Sequence, residues 1–277
     1  MQVSRLLILC LVLVVLLPTT PSHAAESRDE ALQKDWRVSV GAGLIVAPAF
    51  TGSRDYSLLA VPDFRVAYKD LFIVNIRDGI NYAVINKDGW RIGPVAVYTF
   101  PRSEKNGGSV FRIAGGDKNA LVGMGDVPGT FSLGAFVEYS LMPYKFRLHL
   151  YKGVTGHEGV VAEGKVTYGG RFKLVGTPLT YTFGPHIRFG DQAYTNAYWG
   201  INPEQSERSG LQQYHADAGI ISYGVSGLAQ MSLTKSVYVS MIAGFERLGT
   251  PAAHSPLIRI RGSENQAMGG LSVSYGF

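Results

Sequence analysis

The sequence predicts an all-β protein, specifically a transmembrane antiparallel up-and-down β-barrel of a bacterial outer membrane. Three observations predict it: an apolar leader, side-chain alternation of period two through most of the chain, and an aromatic residue, Phe277, ending the last alternating strand. Successive side chains of a strand point to opposite faces, and a membrane barrel has lipid on one face only. Together these features favour a membrane barrel over a soluble β-domain, which would also alternate.

The start of the chain resembles a secretory signal peptide. Arg5 precedes an unbroken apolar run over residues 6–17, and small residues follow around Ala24. A run of about 12 apolar residues is too short for a membrane-spanning helix, which needs about 20. We therefore expect a cleaved signal peptide over residues 1–24, a short polar periplasmic tail over 25–35, and the barrel over 36–277.

Composition excludes several other classes. The chain has 34 Gly, 15 Tyr and 13 Phe but only 17% charged residues, and its mean hydropathy is +0.08, as expected for strands that alternate apolar and polar residues. The net charge of +5 is scattered, so no basic run favours nucleic acid. No cysteine follows Cys10, which leaves no disulfide, thiol nucleophile or cysteine-based metal site after cleavage.

The alternation assigns faces to individual side chains. At the C-terminus Leu271 and Val273 are predicted to face lipid together with Tyr275 and Phe277, while the intervening Gly and Ser residues face the lumen. The same pattern places Phe131 through Leu141 on alternate faces. A terminal strand that ends in an aromatic residue resembles the signal read by the barrel-assembly machinery, so Tyr275 and Phe277 are the predicted assembly signal.

Turn residues then count the strands. Tight connections are predicted at residues 68–70, 86–89, 142–144, 175–178 and 233–236, and loops at 47–57, 77–79, 101–129, 155–159, 191–213 and 248–264. Five turns and six loops make twelve strands, with both termini periplasmic because such barrels keep short turns on that side. If residues 71–86 form one strand the count is eleven, and a second miscount would give ten.

The predicted inner face carries more bases than acids. One interpretation is an anion-favouring small-solute channel, since rings of charge set selectivity in pores. The other is a small barrel that fills its interior with paired charges. His215 and Asp217 are included because residues two apart on a strand share a face. The candidate lumen charges are Arg65, Arg91, Glu138, Arg147, His149, Lys165, Arg171, His186, Arg188, His215 and Asp217.

The candidate functional loops contain His157, Glu158, Asp191, His254 and Ser255. His254 and Ser255 are adjacent, which rarely lets one side chain activate the other, and no nucleophile-elbow motif is present. The histidines show no metal-ligand spacing. We expect loop structure rather than catalysis, and therefore a non-enzymatic protein without cofactor or metal.

Several segments together resemble the MltA-interacting protein family, also called the MipA/OmpV family. They follow the family's order over nearly the whole mature chain. The segments are Gly43–Gly52, Gly125–Asp126, Gly156–Gly159, Phe189–Tyr194, Tyr198–Ile201, Tyr214–Ala216, Glu246–Gly249, His254–Ile258 and Ser274–Phe277.

The resemblance implies an outer-membrane protein that contacts lipid and scaffolds cell-wall biogenesis. Its implied partners are a lytic transglycosylase and a bifunctional peptidoglycan synthase, both periplasmic. A standard interface buries about 800 Å² per partner, so several short turns and the tail would have to act together. The small-solute channel remains the alternative, and a hydrolase at the rim or in the lumen is a distant third.

Overall fold

A computed structural model describes residues 35–105, 108–117 and 119–277. The predicted signal peptide and nearly all of the predicted tail lie outside these residues. The described chain forms fourteen strands and four short helices. None of these helices is long and apolar enough to cross a bilayer.

The strands are β1 Trp36–Pro48, β2 Tyr56–Tyr68, β3 Phe72–Asn75, β4 Gly79–Tyr82, β5 Ile85–Lys87, β6 Trp90–Thr99, β7 Arg112–Gly115, β8 Thr130–Leu141, β9 Tyr144–Gly153, β10 Val160–Leu174, β11 Thr177–Gly190, β12 Gly219–Ser232, β13 Val237–Leu248 and β14 Asn265–Gly276. The helices are α1 Gln192–Trp199, α2 Pro203–Ser209, α3 Thr250–Ala253 and α4 Pro256–Arg261.

Twelve of the fourteen strands close into one antiparallel ring. The ring closes where β1 pairs with both β2 and β14, with Trp36 opposite Tyr68 and Ser39 opposite Gly276. The two remaining strands extend the same wall: β5 continues β4 along one edge of β6, and β7 pairs with the loop-end part of the β2 edge that faces β3. The predicted barrel and its twelve strands are confirmed. The ten-strand alternative is not what the chain adopts.

The segment whose strand count was open folds as separate short strands. Asn75 pairs with Gly79, so β3 and β4 form a hairpin that turns at residues 76–78. Asn75 shapes this turn because its Oδ1 accepts the N–H groups of Arg77 and Asp78 at 2.9 and 2.7 Å. Asn favours such turns because its side chain can substitute for a backbone acceptor. The turn adds a strand to the ring and makes the total even.

The barrel has two unlike ends. At one end five tight turns, including those after β2 and β8, lie beside the start of β1 and the end of β14, and we call it the turn end. At the other end the long connections emerge, and we call it the loop end. The loop after β11 is longer than expected, because β12 begins only at Gly219.

The predicted alternation holds around the wall. Leu148 and Leu271 point outward with 52% and 58% of their surface exposed. Glu138 and Ser274 point inward and are 1% and 6% exposed. Exposed apolar side chains on the outside and polar ones inside invert the arrangement of a water-soluble protein. This inversion is typical of a barrel in lipid.

Aromatic side chains gather near the turn end of the outer wall. The rings of Trp36 and Tyr68 lie 4.8 Å apart, and those of Trp90 and Tyr139 lie 4.5 Å apart. Phe277 continues this belt beside Tyr275. Aromatic belts of this kind sit at the interface between bilayer and water, since their rings are apolar and their tips polar.

A hydrophobic core closes the loop end. It joins Phe50 after β1, Leu121 after β6, Trp199 of α1 and Leu257 of α4 to inner-wall residues such as Tyr151 of β9. Because β1 and β9 lie on opposite sides of the ring, this core crosses the mouth of the barrel. We call the described residues of the loops that form it, 49–55, 101–105, 108–117, 119–129, 191–218 and 249–264, the lid.

Charge on the outer wall tests the membrane placement. We expect Leu271→Arg to lower the free energy of unfolding by about 2–4 kcal/mol, because the side chain lies midway along β14 and faces outward. The neighbouring Ser272→Arg is the control. It faces inward, beside Asp63, and should cost less than about 1 kcal/mol. Denaturant unfolding in phospholipid vesicles measures both, and equal costs would contradict an outer face in lipid.

Candidate functional site

The most enclosed charge in the lumen is Glu138. Its Oε1 accepts from Arg91 Nη1 at 2.9 Å and from Lys145 Nζ at 3.1 Å, and its Oε2 lies 2.8 Å from Arg147 Nη2. Arg91 and Arg147 sit directly opposite Glu138 on the two neighbouring strands. Residues opposite each other on adjacent strands share a face, so strand register alone brings this cluster together.

A second acid reaches the cluster from the β3–β4 turn. Arg147 Nη1 lies 3.0 Å from Asp78 Oδ1, and Asn75 Nδ2 donates to Asp78 Oδ2 at 3.2 Å. The turn is therefore tied to the inner face of β9, across β6 and β8. The tip of this hairpin occupies part of the lumen.

Another set of charges links the wall to the lid. Glu163 Oε1 accepts from Arg188 Nε at 2.9 Å and from the Tyr151 hydroxyl at 3.0 Å. Arg188 also donates to the Tyr194 hydroxyl of α1 at 3.3 Å. The lid is thus hydrogen-bonded to the charged interior beneath it. His186 and Glu246 face each other nearby at 3.5 Å.

The lumen has an excess of base. Lys165 donates to Ser226 Oγ at 3.1 Å, and neither it nor Arg65 forms an ion pair among the described residues. Arg171 lies on the same face towards the turn end, with Nε 3.3 Å from Thr180 Oγ1. His149 is 5% exposed beside Phe136. The predicted inner-face charges of β2, β6 and β8–β11 therefore do lie on that face.

Two predicted lumen residues lie elsewhere. His215 and Asp217 are exposed in the loop that precedes β12, and His215 Nε2 lies 2.6 Å from Gln192 Nε2. Ala216 between them is buried, with its N–H bonded to Asn196 Oδ1 and its carbonyl to Asn196 Nδ2. The loop is held to α1, so the placement of this pair on a strand was wrong. An alternation of three residues does not distinguish a strand from an anchored loop.

His157 is a structural residue at the edge of the lid. Its Nδ1 accepts the N–H of Gly159 at 3.0 Å, its own N–H donates to Thr130 Oγ1 at 3.2 Å, and its ring packs edge-on against Tyr194. Burial lowers the pKa of His157 below its ordinary value of 6.5, so the ring is neutral at pH 7. Glu158 follows at a φ of 52° and points to solvent.

The remaining candidate residues also serve the lid. Asp191 caps α1, accepting the N–H of Tyr194 at 2.9 Å. Ser255 is fully buried and donates to the carbonyl of Trp199 at 2.7 Å, whereas His254 is exposed. The adjacent histidine and serine therefore do not interact as a base and a nucleophile would need to.

Arg102 was not among the residues that the sequence singled out. It is 7% exposed, its Nη1 donates to the carbonyl of Tyr198 at 2.6 Å, and its guanidinium lies 5.6 Å from the Tyr198 ring. Burial lowers its pKa to about 10, so it remains charged at pH 7. It fixes the loop after β6 to α1. An arginine in a long polar loop gives no sequence signal of such burial.

Nearly the whole sequence matches a known protein family. A family model described as MltA-interacting protein MipA matches residues 40–277. A comparison with curated proteins gives no match.

Among solved structures the chain is similar to the NanC porin, with 11% identity, a TM-score of 0.41 and coverage of 86% of this chain and 98% of that one. It is also similar to CdiB from Acinetobacter baumannii, with 8% identity, a TM-score of 0.34 and coverage of 88% and 60%. A third is OmpT of Vibrio cholerae, with 9% identity, a TM-score of 0.32 and coverage of 88% and 98%.

The buried imidazole makes lid stability depend on pH. Because the folded pKa of His157 is lowered, its contribution is complete above the unfolded pKa and is lost as the pH falls through the folded pKa. Protonation at Nδ1 would also remove the acceptor for Gly159, while the nearby Asp191 carboxylate opposes the shift. We therefore expect lid amides to exchange faster at about pH 5 than at about pH 8, beyond the intrinsic pH effect.

Hydrogen–deuterium exchange of His157→Asn is the matched comparison. Asn offers a similarly placed acceptor that does not titrate between these pH values, so its acid-dependent loss of lid protection should be smaller than that of the wild type. His254→Asn, at an exposed histidine of the lid, should behave like the wild type. An unchanged pH response in His157→Asn would contradict this role.

Proposed function

The chain belongs to the MltA-interacting protein family, MipA, and we propose from this membership that it is a non-enzymatic outer-membrane scaffold for a lytic transglycosylase. The turn end faces the periplasm in this proposal, because single-chain bacterial barrels keep their short turns there. Murein-cleaving and murein-synthesising enzymes act on that side. A bifunctional peptidoglycan synthase is a second proposed partner.

The observation that carries the proposal is a hairpin that projects from the turn end. β10 continues to Leu174, six residues past its last pairing with β9 at Tyr168, whereas β11 stays paired with β12 as far as Leu179, so the free edge of the hairpin is that of β10. At the tip Val175 is 96% exposed, and Met142 of the neighbouring β8–β9 hairpin is 79% exposed. Apolar side chains exposed to this degree on adjacent tips are typical of interaction sites.

The projecting hairpin enlarges the surface that the turn end offers to a partner. Short turns alone offer little of the roughly 800 Å² that a standard interface buries on each partner. The hairpin adds two sides of a strand pair, with Phe172 and Leu174 on one face and Lys173 on the other. A partner can therefore dock against the side of the hairpin and contact neighbouring turns.

The absence of catalysis is also part of this proposal. Ser255 is buried whereas His254 is exposed. The His157 ring accepts a backbone N–H of its own loop, and Asp191 caps a helix. In the lumen Asp78, Glu138 and Glu163 are held in ion pairs with arginine. General acid–base chemistry requires a group free to exchange protons with a substrate.

An anion-favouring channel is the second candidate. The excess of base in the lumen favours it, since charged linings select ions. The lid across the loop end and the β3–β4 tip inside the lumen oppose it. The scaffold therefore agrees better with the geometry.

Binding measurements test the scaffold. We expect Val175→Asp to weaken binding of the purified transglycosylase at least about tenfold, because it places a charge on the apolar tip of the hairpin. Val154→Asp is the matched control, since Val154 is 53% exposed in the loop between β9 and β10 at the opposite end. Equal binding by both variants would remove the hairpin from the interface. Binding no stronger than to an unrelated barrel would overturn the scaffold itself.

Conductance tests the channel. With the purified protein in a planar bilayer we expect no sustained open level at neutral pH, because the lid and the hairpin tip obstruct the lumen. Stable openings that favour anions over cations would contradict this expectation. Such a result would make the channel the better function.

A further inference from the structure

The barrel wall is irregular between β2 and β6. β3 and β4 have four residues each, and β3 pairs with the turn-end part of β2, Arg65–Tyr68, while β4 pairs with Val95–Ala96 of β6. Nearer the loop end, β7 pairs with Ser57–Leu59 of β2. Within the described chain, residues 61–64 of β2 and residues 98–99 of β6 therefore have no strand partner on the sides that face each other. We call this gap the side window.

The sequence of β2 fits an unpaired edge at this position. Ala60 donates its N–H to the carbonyl of Phe111, so the backbone groups of Ala60 point towards the side window. Pro62, two residues on, faces the same way and has no N–H to donate. Proline within sheets occurs at strand positions whose donor side is unpaired. The gap is thus built into the strand.

Unpaired backbone at the depth of a membrane needs cover or water, because lipid cannot hydrogen-bond to it. Here a cavity of about 270 Å³ lies behind the side window. The cavity is lined by the β6 edge, the β3–β4 tip and polar groups of the inner wall, so it lies between the β6 border of the gap and the lumen. Its lining includes Arg77, Asp78, Tyr98, Phe100, Glu163 and Arg188.

Aromatic rings surround the outside of the side window. Tyr98 and Phe100 are 50% and 38% exposed on the outer wall. The ring of Phe100 lies 5.1 Å from that of Tyr98 and 4.7 Å from that of Phe111, both edge-on. These rings present apolar surface where the cavity meets the outer face. A polar cavity behind an apolar rim matches a ligand with a polar head and an apolar chain.

The charges around the cavity indicate whether the polar head of the ligand is anionic or cationic. Asp78 is paired with Arg147, and Glu163 is paired with Arg188. Arg77 also lines the cavity, is exposed, and forms no ion pair among the described residues. Arg77 also acts on the charge of its neighbour Asp78, but Asp78 is already bonded to Arg147, so base exceeds acid at this border of the cavity. An arginine guanidinium binds phosphate oxygens well because its N–H groups match their geometry.

We propose that the side window binds a membrane lipid with an anionic phosphate headgroup. The headgroup enters sideways and lies against Arg77, while the acyl chains stay outside along Tyr98, Phe100 and Phe111. The cavity volume lies just below the 300–1,000 Å³ of pockets that enclose whole ligands, and so suits a headgroup alone. The proposal rests on the membrane placement proposed above but not on any periplasmic partner.

Native mass spectrometry of the full chain tests it. The barrel is released from nanodiscs that contain equal amounts of phosphatidylglycerol and phosphatidylcholine. We expect the wild type to retain one phosphatidylglycerol in preference to phosphatidylcholine. Arg77→Gln should reduce that preference about tenfold, as the loss of one charged hydrogen-bonded contact implies. Arg77→Lys, which keeps the charge, should retain more of the preference than Arg77→Gln.

Lys173→Gln is the matched control, because Lys173 is a base near the turn end that does not line the cavity. It should leave the preference unchanged, and denaturant unfolding shows whether each variant is folded. Equal retention of the two lipids by the wild type, or an unchanged preference in folded Arg77→Gln, would overturn the proposal. Displacement of the lipid by excess inorganic phosphate would indicate a site for a small free anion and would overturn the proposal that a lipid occupies it. Failure to enter nanodiscs would instead overturn the membrane placement.

Discussion

Closure of the hydrogen-bonded ring is the constraint on which the rest of this structure depends. Lipid cannot satisfy backbone N–H and C=O groups, so a sheet that crosses a membrane must have no free edge. Here β1 meets both β2 and β14, and the register places Ser39 opposite Gly276. Once that register is fixed, the period of two decides which side chains face outward. The apolar exterior and polar interior are both consequences of it.

Closure also explains where the wall departs from regularity. The ring needs an even number of strands for both termini to lie at one end, and the short β3–β4 hairpin supplies two of them. Its tip is drawn inward by the pairing of Asp78 with Arg147. The hairpin is too short to reach the loop end, so β7 covers part of β2 there. The side window at Pro62 is the space left between these two substitutes for a full strand.

The lid gives the loop end a hydrophobic core of the kind found in soluble domains. Trp199, Leu121 and Leu257 are buried there, although they lie far apart in sequence. Hydrogen bonds hold buried polar side chains within it, such as the one from Arg102 to the Tyr198 carbonyl, because an unsatisfied buried group costs about 1–3 kcal/mol. A capped loop end leaves the projecting β10–β11 hairpin at the turn end as the more prominent surface for a partner. The proposed scaffold follows from this asymmetry.

The sequence by itself determined the barrel, its twelve strands and the inward set that includes Glu138, Arg147 and Arg188, because a period of two and the turn residues are local properties. It did not place His215 and Asp217, which the loop anchors to Asn196 of α1, nor did it indicate that Arg102 is buried. Only the tertiary structure decided the lid core, the pairing of Asp78 with Arg147 and the side window. These depend on contacts between residues distant in the chain, and such contacts leave no periodic signal in the sequence.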